Sequence, residues 1–499
     1  MTRHLQRQAN LTTLDAEASS RASAHGKMGA SRQKHQKLQG VSFDRGAVPP
    51  EIPVTAHSTL LRKFAEDLQP STTKKPNTTG LTDAFMSAVR DYCTAMQPGV
   101  KKEKTREEIV LEHLPKLFAA CGVPFNFKVY QSKSSYQSMV DIALVPAAEA
   151  FTGPIAGRTP DTEPPCAIIE VKGEPGSSGE PWPQLVTYYS DHVDRSMWVG
   201  EEYASHVCNV SRFPMILSAV DGPMVSHGAG VIGMVPTTQQ LSHPEPHFET
   251  GDRYHLVLVA ANLRAWIRAI DALAAEYRAK QAIELSDELD AELVFPELTV
   301  DGETVVFLEH LARGVFRASW NHQLVVVKIC RHNNNQAQRW TAGQVAGGPK
   351  ESLAPKILHT ESLPGSPGVP WHIIVMEDLW VQGFDPLTTH VRKHSLQDGD
   401  AALIRDGVTA ALERLYEDKG PDTDVEWVFF DLRAPNVMVR RKDDGVWDVR
   451  LIDFGMCGKT GEHRPRCLNS GIEWPPWEED GVPLLRRSDD TWMLDRLMK

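Results

Sequence analysis

The run CAIIEVKG, residues 166–173, limits the folds open to this chain more than any other stretch. Three apolar residues, Ala167, Ile168 and Ile169, lead into Glu170-Val171-Lys172 and a glycine-rich exit. Strand side chains alternate between faces, so Glu170 and Lys172 project from the same one. Burying an acid and a base there costs free energy unless something binds them. A magnesium ion is such a partner. Hard oxygen ligands from Glu170 and from Asp141, near the start of a neighbouring strand, would hold it with waters and a substrate phosphate. Lys172 then stands near the attacking water or the developing phosphate charge. The competing expectation is a surface salt pair on an edge strand.

At 499 residues the chain is long for one domain. Its 65 acids against 53 bases give a net charge of −12, which argues against a protein that coats polyanions generally and leaves room for a local basic groove. Seven scattered cysteines, an odd number with no CxxC pair, fit free thiols better than a disulfide framework or a zinc site. No apolar run reaches membrane-spanning length and the start carries no signal-peptide core, so an intracellular protein of the nucleus or cytoplasm is expected, with no membrane partner.

Patterning divides the chain into three. Residues 1–78 read as a disordered arm with more bases than acids, and RQKHQK (32–37) is either a solvated tail or an import or phosphate-touching patch. Residues 79–283 carry helical spacing in TDAFMSAVRDYCTAM and TREEIVLEHLPKLFAACG, the latter stopping at Gly122 before Pro124. Strands follow in FNFKVYQ, SMVDIALVP and CAIIEVKG, the last two separated by a Pro/Gly/Thr-rich insert at 146–165. A helix from Pro181, the strands FPMILSAV and GAGVIGMV around the turn DGP, and the long helix LRAWIRAIDALAAEYRAK complete the block. The acidic stretch 284–293 reads as a joint, and 284–499 begins again with the strands VVFLEHL, VFRASW and LVVVKIC.

Asp141, Glu170 and Lys172 on adjacent strands resemble the PD-(D/E)XK restriction-endonuclease-like superfamily. That resemblance implies an α/β/α fold, DNA as a partner, a further metal-facing acid from the preceding helix (Glu108, with Glu112 as the next choice) and a glutamine from the following helix (Gln184).

A second constellation lies downstream. VFFDLRAPNVMV (428–439) holds Asp431 and Asn436 five residues apart in a loop stiffened by Pro435, and VRLIDFGMCG (449–458) ends an apolar strand at Asp453 before Phe-Gly. With Lys328 in VVVKIC, these segments resemble the catalytic loop, the DFG segment and the strand lysine of protein kinases. The resemblance implies a base at Asp431, Mg2+ ligands at Asn436 and Asp453, and Lys328 against the phosphates of ATP. It also implies a phosphate-covering turn at Gly314, an adenine-contacting strand end at Glu377 and a bracing helix acid at Asp490. Three departures stand out: Phe429 occupies the usual histidine position, the turn ARGVF has one glycine, and no acid falls between Lys328 and Glu351, so the lysine's usual helix glutamate is either missing or Glu351 itself.

The order of the two blocks, the GKxGE segment, the IEWPPW stretch and the short distance from Asp453 to the last residue resemble the compact kinases of Crinkler-type proteins and related fungal-type families, over roughly residues 85–499. The expected fold is therefore α+β and multidomain: a restriction-endonuclease-like α/β/α domain, then a compact bilobal kinase-like domain. The function implied is an ATP- and Mg2+-dependent Ser/Thr protein kinase fused to a nuclease-like domain. The alternatives are a pseudokinase and nuclease-like scaffold without catalysis, or a small-molecule phosphotransferase.

Overall fold

A computed structural model describes residues 42–43, 52–68, 76–100, 102–130, 141–147, 165–173, 181–198, 212–232, 236–248, 251–281, 295–345, 352–365, 371–393, 399–417, 426–464, 472–476 and 483–497. RQKHQK, the acidic stretch 284–293, most of the 146–165 insert and Glu351 lie outside them. The chain is mixed α+β and divides into two units. The first comprises Met1–Leu298 with Leu363–Pro370, and the second Thr299–Ser362 with Trp371–Lys499. No helix among the described residues is long and apolar enough to cross a membrane.

In the first unit the helices are α1 (Val54–His57), α2 (Thr59–Asp67), α3 (Asp83–Ala95), α4 (Glu103–Ala120), α5 (Pro181–Trp198) and α6 (Arg253–Gln281). They pack about a sheet of β1 (Ser42–Phe43), β2 (Phe127–Tyr130), β3 (Ile142–Pro146), β4 (Ala167–Lys172), β5 (Met215–Asp221), β6 (Met224–Ile232) and β7 (Pro236–Gln240), with β8 (Glu245–Pro246) beside β6. The strand order is β1-β7-β6-β5-β4-β3-β2. Strands β4 and β5 run parallel with α5 as the crossover, and both are buried along almost their whole length. That burial explains why their sequences are apolar runs without alternation.

Ser58 and Thr82 cap α2 and α3 by accepting the Leu61 and Phe85 N–H groups. Helix α4 stops where the sequence predicts: Gly122 takes φ +76°, and the Gly122 and Val123 N–H groups return to Ala119 and Phe118 carbonyls. Two glycines of the GAG run have a packing role. A Cβ on Gly228 would meet the Trp182 ring at 2.1 Å and one on Gly230 the Tyr189 ring at 2.7 Å, so bare backbone lets α5 settle onto β6.

One expectation is corrected here. The arm was expected to run disordered to residue 78, yet α1 and α2 are helical, and Val54, Leu61 and Phe64 lie in the core of this unit. The apolar spacing of a nine-residue helix is brief enough to be masked by the polar residues around it.

In the second unit an antiparallel sheet is formed by β9 (Leu298–Val300), β10 (Glu303–Ala312), β11 (Val315–Trp320), β12 (Gln323–Cys330), β13 (Ile357–Leu363) and β14 (Trp371–Glu377). Its order is β13-β14-β12-β11-β10-β9, and helix α7 (Asn335–Thr341) joins β12 to β13. After β15 (Asp385–Pro386) come the helices α8 (Leu387–Lys393) and α9 (Asp400–Tyr416), then β16 (Trp427–Val428), a 3-10 turn (Ala434–Asn436) and the hairpin β17 (Val437–Arg441) and β18 (Trp447–Leu451). The short β19 (Gly458–Lys459) pairs with β16, and α10 (Arg487–Leu494) follows. Side chains of α9, β17, β18, α10 and the 427–432 segment share one apolar core.

Candidate functional sites

In the first unit, Asp141 immediately precedes β3, whose Ile142 pairs with Ile169 of β4, so the acid falls opposite Glu170. Asp141 Oδ2 accepts the Val171 N–H at 2.7 Å. Lys172 Nζ donates to Glu170 Oε1 at 2.5 Å and stands 3.8 Å from Glu103 Oε2. Glu170 and Lys172 are 1% and 5% exposed, which excludes the surface salt pair. Glu170 Oε2 is buried with no hydrogen-bond partner, and so is the side-chain oxygen of Gln184 at the start of α5. Burial, reinforced by the Asp141 charge and only partly offset by Lys172, pushes the Glu170 carboxyl well above its ordinary range. Burial also raises Asp141, against the Val171 N–H and Lys172. Burial would lower Lys172, but Glu170, Asp141 and Glu103 outweigh it and raise the ammonium.

Two carboxylates held together in a buried place, with an oxygen left unbonded, make a donor set suited to a hard cation. The helix acid is corrected. Glu103, the first residue of α4, approaches Lys172, whereas Glu108 lies about 140° further round the helix. Glu112 is paired with Lys116 at 2.7 Å on the exposed face. Glu103 was missed because α4 begins earlier than the apolar spacing of TREEIVLEHL suggests.

In the second unit, Lys328 on β12 reaches Asp453 Oδ1 at 2.6 Å and Asn333 Oδ1 at 3.0 Å. Asn436 donates through Nδ2 to the Asp431 carbonyl at 2.9 Å and to Asp431 Oδ2 at 2.8 Å. Arg433 grips the same carboxylate with two bonds, at 2.5 and 2.9 Å. The Ile452 N–H donates to the Asn436 carbonyl, which ties the two loops together. Behind them, buried Asp490 of α10 accepts the Phe429 and Phe430 N–H groups at 2.9 and 2.7 Å and the Tyr416 hydroxyl at 3.2 Å. These bonds hold Phe430 at φ +61°, a conformation an aromatic residue adopts only under constraint. Asp453 is likewise left-handed, at φ +67°.

Charge follows the geometry. Burial would raise Asp453, but the Lys328 ammonium and the Gly455 N–H outweigh it and hold the acid below its ordinary range. Burial raises Asp431 despite Arg433 and Asn436. Burial would lower Lys328, and Asp453 reverses that. Asp490, most buried of all, is pushed up to about 7 against its three donors.

Gly314 forms the tight β10–β11 turn at φ +65°, and its carbonyl accepts from Ile329 beside Lys328. Glu377 ends β14, where its N–H and carboxylate bond the Lys356 backbone. Phe429 is fully buried with its ring edge-on to Phe454, 5.2 Å between centroids, so an aromatic side chain fills the expected histidine position as core.

Among the described residues no three His, Cys, Asp or Glu side chains converge as a complete metal-ligand set. Either site would leave positions to amide, water and phosphate oxygens, as magnesium prefers. Compared with protein-family models and with curated proteins, the chain matches none.

Proposed function

We propose that the second unit is an ATP- and Mg2+-dependent phosphotransferase acting on protein Ser or Thr hydroxyls. The observation that carries this reading is the meeting of Lys328, Asp431, Asn436 and Asp453 from three separate segments, backed by Asp490. The sheet order, with a helix inserted after the lysine strand, agrees with the kinase-like resemblance. Two of the three departures have local substitutes: Phe429 packs on Phe454, and Asn333 accepts from Lys328.

The residues fit the groups such a reaction needs. Asn436 commits Nδ2 to Asp431, which leaves its amide oxygen to face a cation. Asp453 engages Lys328 and Gly455 through Oδ1, which leaves Oδ2. Magnesium bound there would neutralise charge developing on the phosphates. Asp431, aimed by Arg433 and Asn436, accepts the proton of the attacking hydroxyl. Lys328 exchanges Asp453 for a phosphate oxygen.

The test is autophosphorylation by the purified chain with labelled ATP and magnesium, beside Asp431→Ala. Label on the wild type, with a loss of 10²-fold or more in the variant, is expected. A folded wild type without label would favour the scaffold reading.

A second activity is supported by the first unit. Asp141, Glu170, Lys172 and Glu103, with the unbonded Glu170 oxygen, suit Mg2+-dependent phosphodiester cleavage of DNA. Glu170→Gln is the control: it keeps the shape and removes the anionic ligand.

A further inference from the structure

Among the described residues Lys328 has one carboxylate partner, Asp453, and one neutral partner, Asn333. No acid occurs between Lys328 and residue 350, so α7 offers the lysine no carboxylate. The orientation of the Asn333 amide is fixed from behind. Its Nδ2 donates to Asn335 Oδ1 at 2.7 Å and to Gln338 Oε1 at 3.2 Å. Gln338 is 2% exposed, and its own amide nitrogen donates to the Pro355 carbonyl at 3.1 Å. Both hydrogens of Asn333 are therefore spoken for, and only its oxygen can face the ammonium. The next residue, Asn334, joins the same turn to the Asp453 segment: its N–H donates to the Phe454 carbonyl and its side chain to Cys457 O.

We infer that Asn333 is the positioning residue for Lys328 in nucleotide binding, an inference that rests on the phosphotransferase reading. A neutral acceptor fixes where the ammonium sits without neutralising it. When Asp453 turns to a cation, Lys328 stays in place with its full charge directed at the phosphates. The chain Lys328–Asn333–Gln338–Pro355 O carries that constraint into the strand leading to β14.

The experiment measures binding of a fluorescent ATP analogue with Mg2+ to the full chain. Melting without nucleotide is followed in parallel for wild type, Asn333→Ala, Asn333→Asp, Lys328→Met and Lys328→Met/Asn333→Ala. Asn333→Ala is expected to weaken binding about ten-fold, the scale of one hydrogen bond to a charged group, and to lower melting modestly because Asn335 and Gln338 lose a donor. Asn333→Asp, which keeps an acceptor, is expected to weaken it less. In the Lys328→Met background the alanine should add nothing, because its effect passes through the lysine. Wild-type affinity in Asn333→Ala, or an equal loss with and without Lys328, would overturn the inference alone. A folded wild type that binds no nucleotide would overturn the phosphotransferase reading and the inference with it.

Discussion

At the scale of single residues, the candidate sites gather groups that destabilise the chain for their own sake. Asp490 is one such group. Its folded pKa of about 7 lies above the ordinary 3.8, so the folded state holds the extra proton between about pH 4 and 7. Stability contributed by this group is therefore full below pH 4 and falls as the pH rises through 7. Asp490→Asn should flatten that part of the stability–pH curve and, with one backbone N–H left facing an amide, cost about 1–3 kcal/mol at low pH. Urea unfolding at several pH values measures both, and an unchanged slope would contradict the assignment. Lys328, Asp431, Asn436, Asp453 and Asp490 were legible in the sequence because each sits at a fixed offset in a short motif. Asn333 and Arg433 were not, because an amide or a guanidinium becomes a partner only when the chain folds back on it. Glu108 shows the same limit in reverse: a helix of known face still needs its starting residue to say which acid points inward.

At the scale of elements, helix α5 is set by β6. The glycine spacing in GAGVIG looked like ordinary strand sequence, and its meaning depends on rings that arrive from elsewhere in the chain. Gly230→Ala is expected to cost about 1–3 kcal/mol, since its Cβ must displace the Tyr189 ring, whose hydroxyl is bonded to the Phe213 carbonyl. Denaturant titration checks it; a neutral result would mean that α5 moves away from the sheet without loss. Helices α3 to α6 and strands β2 to β6 and β10 to β12 were readable from spacing alone, whereas β7, β13 and helix α9 were not read from it. Helices α1 and α2 were not, because their burial comes from long-range packing that a local pattern does not encode.

At the scale of the whole molecule, the two sets of motif residues belong to different units. Their chemistries should separate. Asp431→Ala is expected to abolish phosphotransfer and leave Mg2+-dependent DNA cleavage at the wild-type rate. Glu170→Gln is expected to do the opposite, and to lower melting, because the buried Lys172 ammonium then loses its carboxylate partner. Parallel assays of both variants decide it, and loss of both activities in either one would contradict separation.

The Asp490 brace has a consequence for biosynthesis. It reaches back 61 and 60 residues to the amides of Phe429 and Phe430. A nascent chain synthesised as far as Asp453 already carries every residue proposed to face nucleotide or metal in this unit, and lacks the acid that shapes the loop. A message cut anywhere in the interval would therefore yield a product with all the motif letters and two buried amides left without an acceptor. Truncation between these points should produce material for the quality-control machinery, and the loop takes its form only when translation has passed α10.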